Sequence, residues 1–70
     1  MNLNDAKART AAALAHLTAV DAEWLAVRET EGEAAAEARM GAALDRANTR
    51  YHNARENERW IERWNARKAA

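Results

Sequence analysis

The chain contains no cysteine, no proline, no serine and no phenylalanine, and only two of its 70 residues are glycine. Without cysteine there is neither a disulfide framework nor a thiolate metal site, and redox chemistry gives no reading of compartment. Serine and cysteine are removed as nucleophiles. The threonines, Thr10, Thr18, Thr30 and Thr49, have no histidine base in a recognisable relation to them. Two glycines, Gly32 and Gly41, cannot make a glycine-rich phosphate loop. Without proline, nothing in the chain forces a helix to break.

Long apolar runs are missing as well. The longest stretch free of charge, Thr10 to Val20, is alanine-rich, holds His16 and two threonines, and is too short to span a bilayer. No signal peptide is recognisable, so the expectation is a cytoplasmic protein with no membrane partner. An excess of either charge is also lacking: 11 basic residues balance 11 acidic ones. Nucleic-acid binding normally needs a net basic surface, which makes DNA or RNA an unfavoured partner. His16 and His52 fall opposite the apolar seams and read as solvated surface, with no metal and no cofactor expected.

What the chain does have is alanine, which makes up 20 of its 34 hydrophobic residues. Alanine favours helix strongly but offers little area to bury. The larger apolar set is Leu3, Leu14, Leu17, Val20, Trp24, Leu25, Val27, Met40, Leu44, Tyr51, Trp60, Ile61 and Trp64, with Met1 set aside as a fraying end. At about 1.5–3 kcal/mol for each fully buried large side chain, these cannot all be sheltered in one pair of helices. Self-association is the expected remedy. Nine arginines against two lysines, beside the alanine excess, suggest a GC-rich bacterial or phage genome.

Heptad spacing organises both halves. In the second, Met40, Ala47, Ala54 and Ile61 recur every seven residues, with Leu44 and Tyr51 four residues after the first two. In the first, Leu3, Thr10, Leu17 and Trp24 form one set, and Ala6, Ala13, Val20 and Val27 another. Leu14 and Leu25 widen that seam on one side. Asn2 and Asp5 suit a helix start near Leu3. Gly32 suits a stop, and Thr30 with Glu33 matches a capping box for a second helix. The spacing therefore predicts an all-α antiparallel hairpin: helix one over about 3–29, a turn over about 30–33, and helix two over about 33–68. Two such hairpins are expected to pair as a homodimer, in a four-helix bundle or coiled-coil assembly.

A turn at residue 32 brings together positions whose numbers sum to about 65. Trp24 is then expected over Gly41, beside Met40 and Leu44. Leu17 falls near Ala47, Leu14 near Tyr51, Thr10 near Ala54, and Leu3 near Ile61. Residues 1–33 hold three basic against six acidic residues, a net of −3, and residues 34–70 hold eight against five, a net of +3. Opposite halves suit a fold-back or a head-to-tail pairing.

The sharpest functional signal is at the C-terminal end. At 100° per residue, Trp60 and Trp64 point away from the helix-two seam. With Arg63, Arg67 and Lys68 they can form one aromatic and cationic patch, a composition enriched where proteins meet. The arginine ladder Arg55, Arg59, Arg63 and Arg67 has Glu56, Glu58 and Glu62 within pairing reach, so it reads as a salt-bridged face. The function these features imply is non-catalytic. The expectation is a small dimeric adaptor, regulator or inhibitor that binds a target protein through Trp60, Arg63, Trp64, Arg67 and Lys68. The same seams could instead build a higher structural assembly.

Overall fold

The computed structural model of this chain describes residues 2–69, which form two long helices folded back on each other: α1, Leu3–Glu31, and α2, Glu33–Ala69. The expectation for Met1 lies outside the described residues. The protein is an all-α helical hairpin measuring 55 × 14 × 12 Å. Asn2 starts α1 from an extended backbone, its Oδ1 accepting from the amides of Asn4 at 2.9 Å and Asp5 at 3.3 Å. Those bonds satisfy donors that the first turn of a helix leaves free.

One residue makes the reversal. Gly32 sits at φ +94° and ψ 167°, a region that side-chain-bearing residues rarely adopt. Its N–H still donates to the Arg28 carbonyl at 2.9 Å, while its own carbonyl accepts from the Ala36 amide at 3.1 Å. A single glycine thus closes α1 and opens α2. The expected four-residue turn contracts to this residue, and α1 runs two residues further than its spacing suggested. The capping box does not form, because Thr30 stays helical and its hydroxyl donates back to the carbonyls of Ala26 at 3.1 Å and Val27 at 3.3 Å. Across the turn, Arg39 donates to both Glu31 carboxylate oxygens through Nη1 and Nη2, at 2.6 and 2.7 Å. That pairing offsets the charge of one of the glutamates crowded there.

Thr10 fixes the register. Its hydroxyl donates to the Ala6 carbonyl of its own helix at 3.0 Å and reaches the Ala54 carbonyl of α2 at 3.3 Å. By that pairing Leu3 shares a level with Ile61, Ala13 with Tyr51, Leu17 with Ala47, Val20 with Leu44, and Trp24 with Met40. The buried residues are Ala6, Thr10, Ala13 and Val20 on α1, and Ala36, Gly41, Ala47 and Ile61 on α2. Leu3, Leu17, Trp24, Val27, Met40, Leu44 and Tyr51 are half-buried, since one neighbouring helix can cover only part of a large side chain. Leu14 stays outside the intra-chain seam at 46 % exposure: Ala13 occupies the facing position at the Tyr51 level, which turns its neighbour outward.

Gly41 has its nearest neighbour on its own helix. The three atoms nearest to where its Cβ would stand all belong to the Glu37 carboxylate, one helical turn earlier, rather than to the Trp24 indole. Trp24 lies under the Arg28 guanidinium, 5.7 Å from the ring centroid, and its Nε1 is buried without a hydrogen-bond partner. The set begun by Leu44 and Tyr51 continues through Glu58 and Asn65, both half-buried. Polar residues therefore hold seam positions toward the open end.

A candidate protein-docking surface

The open end of the hairpin is asymmetric because α2, at 37 residues, is longer than α1, at 29. In the register set by Thr10, the last residues of α2 run beyond Leu3 with no helix beside them. Trp60 and Trp64 lie where this overhang begins. One helical turn apart, their rings stack with centroids 5.6 Å apart and planes within 11°. Lys68, a further turn on, places Nζ 5.4 Å from the Trp64 ring centroid. The i,i+4 spacing aligns these side chains on one face, and the ring's negative π face attracts the ammonium group. Trp60 remains 45 % exposed and Trp64 37 %.

The structure brings Trp60, Trp64 and Lys68 into one continuous ladder. Arg63 and Arg67 lie exposed along the same overhang, and the cation over the Trp64 ring is Lys68. Of the arginine ladder, Arg59 approaches Glu56 at 3.9 Å with both side chains largely in solvent. An exposed pair of that kind contributes about 0–1 kcal/mol, so it does not lock the face. Glu58, expected among the arginines, turns partly into the seam.

His16 and His52 are both exposed, and the His52 ring tilts against Tyr51 with centroids 5.6 Å apart. Glu56 follows His52 by one helical turn, yet among the described residues no three His, Cys, Asp or Glu side chains gather as metal ligands. A shallow hollow lined by Asp45, Arg46, Thr49, Arg50 and Asn53 lies on α2, some way from the tryptophans.

Folding redistributes charge along the molecule in a way the linear halves conceal. Residues 17–47, the half nearest Gly32, carry three basic and seven acidic residues, a net of −4. The remaining residues, which make the open half, carry eight basic and four acidic residues, a net of +4. The tryptophan ladder therefore stands on the positive end of a lengthwise charge separation.

No described helix is long and apolar enough to cross a membrane. No family model, curated protein or solved structure matches the chain. The fold class, an antiparallel helical hairpin, rests on the structure itself.

Proposed function

We propose that this chain is a non-catalytic protein-interaction module, acting as an adaptor, regulator or inhibitor, with the cytoplasm as its setting. Its docking surface is the Trp60–Trp64–Lys68 ladder with Arg63 and Arg67 beside it. The observation that supports this reading is the stacked and exposed pair of indoles on a helical overhang. Exposed aromatic area of this size costs solvation, and rigid stacked rings lose little entropy when a partner covers them. The surrounding positive end favours a target whose apolar groove is edged by carboxylates.

The test compares the native chain with the Trp60→Ala/Trp64→Ala double variant as baits in a lysate of the native host, followed by titration of the purified captured protein. A docking tryptophan contributes about 2 kcal/mol or more, so the double variant should bind that protein at least about 30-fold more weakly while its helical signal at 222 nm is unchanged. Equal capture by both baits removes the ladder from the interface. Retention on DNA or RNA that weakens steeply with salt replaces the reading with nucleic-acid binding, and light scattering above four helices replaces it with structural assembly.

A further inference from the structure

The outward side of α1 is an unpartnered face with a definite charge layout. Leu14 and Leu25 stand on it at 46 % and 42 % exposure. Between Thr10 and Val20 the helix carries no formal charge at all, although Ala11, Ala12, Leu14, Ala15, Thr18 and Ala19 are all exposed. A helix side that meets only water normally carries charged residues along it. Here three turns at the middle of the hairpin's length lack them, with the acidic half on one side and the basic half on the other. Of the polar side chains in this stretch, exposed His16 lies about 160° round the helix from Thr18, and Thr18, on the Leu14 side, needs nothing from solvent because its hydroxyl already donates to the Leu14 carbonyl at 2.9 Å. Covering it strands no donor.

We infer that a second copy of this chain covers this face, running antiparallel about a two-fold axis that passes near Ala15. That arrangement sets each acidic tip beside the partner's basic open end, while a parallel pairing would set like against like. A two-fold contact uses the same patch on both copies, and this patch is complementary to itself. Size points the same way. A lengthwise face of 55 by 14 Å projects about 770 Å², close to the roughly 800 Å² that each partner of a stable complex covers. An end of 14 by 12 Å projects about 170 Å², far too little. The unpaired hairpin exposes 5089 Å², whereas a compact chain of 7.8 kDa exposes about 4,400 Å². The excess follows from the elongated shape, which leaves a long side open to a neighbour. With α1 outer sides paired, both tryptophan ladders stay free, so the dimer is independent of the docking reading above.

Sedimentation equilibrium on the full chain over a concentration series tests this. The expected mass is twice the 7.8 kDa of one chain, and Leu14→Glu/Leu25→Glu should return it to a monomer with its helical signal retained. Single cysteines in this cysteine-free chain report orientation even if that variant unfolds. A mixture of Ala8→Cys and Ala22→Cys chains should form the mixed disulfide, with neither substitution cross-linking to itself, while Ala15→Cys cross-links to itself. A monomeric native chain overturns the inference, and so does self-cross-linking of Ala8→Cys, which marks a parallel pair. A Trp60→Ala/Trp64→Ala chain that becomes monomeric moves the dimer to the ladder and overturns it as well.

Discussion

The inside of this hairpin is built mostly of small side chains, whereas several of its largest apolar ones lie outside. Ala36 at 0 %, Ala13 at 1 %, and Ala6 and Ala47 at 2 % exposure are the most enclosed hydrophobic groups, whereas Leu14, Leu25, Trp60 and Trp64 face outward. Small residues along the seam let two backbones approach closely, near enough for Thr10 to bond a carbonyl of the opposite helix. Their cost is that little apolar area leaves water for each residue ordered. The lesson of the contrast is that the seam sets geometry and the outer faces hold the unspent hydrophobic area.

The most direct way to break this contrast is to enlarge the inside. Ala13→Leu and Ala36→Leu should each destabilise the hairpin by about 1–3 kcal/mol, because extra methylenes in a tight seam force the helices apart. The urea midpoint followed at 222 nm reads this, and Ala42→Leu on the exposed side of α2 should stay within about 0.5 kcal/mol of the native chain. Equal effects at the two kinds of position would dissolve the distinction between seam and face. Next comes the turn. Gly32→Ala imposes a Cβ at φ +94° and should cost about 1–3 kcal/mol by the same measure, although open space surrounds the site.

A smaller effect of opposite sign sharpens the account of Gly41. The atoms nearest to an added Cβ belong to the flexible end of Glu37, an exposed side chain that can swing into solvent. Gly41→Ala should therefore stabilise the helix, by up to about 1 kcal/mol, and raise the melting temperature. A loss of that size would mean that the Trp24 indole closes over the glycine after all. Smallest of all, Glu31→Gln at the turn should cost less than about 1 kcal/mol and less still in high salt, since the Arg39 and Glu31 side chains are 59 % and 41 % exposed.

Much of the hairpin was legible in the sequence because the heptad spacing and the lone glycine between two helical stretches are local signals. The pairing of Thr10 with Ala54 differs by one from the sum of 65 that the turn position gave. Side-chain choices with two good local solutions were not legible. Thr30 could cap α2 or bond back into α1, and in the structure it bonds back to Ala26. The Glu37 carboxylate is the nearest group to Gly41, a side-chain placement that spacing alone leaves open. Glu58 and Asn65 were missed because seam positions were sought among apolar residues, although the seven-residue step from Tyr51 leads straight to both. At the candidate site, the outward projection of Trp60 and Trp64 followed from helical angle alone. The capture of the Trp64 ring by Lys68 in preference to an arginine is a rotamer outcome that spacing leaves open.

The hinge at Gly32 also dictates an order of assembly. Contacts beside it, such as those of Ala36, close a loop of a few residues, whereas Leu3 meets Ile61 only by enclosing nearly the whole chain, and closure entropy rises with that length. Closure entropy therefore favours pairing that spreads from the glycine outward, with the level of Leu3 and Ile61 the costliest to close.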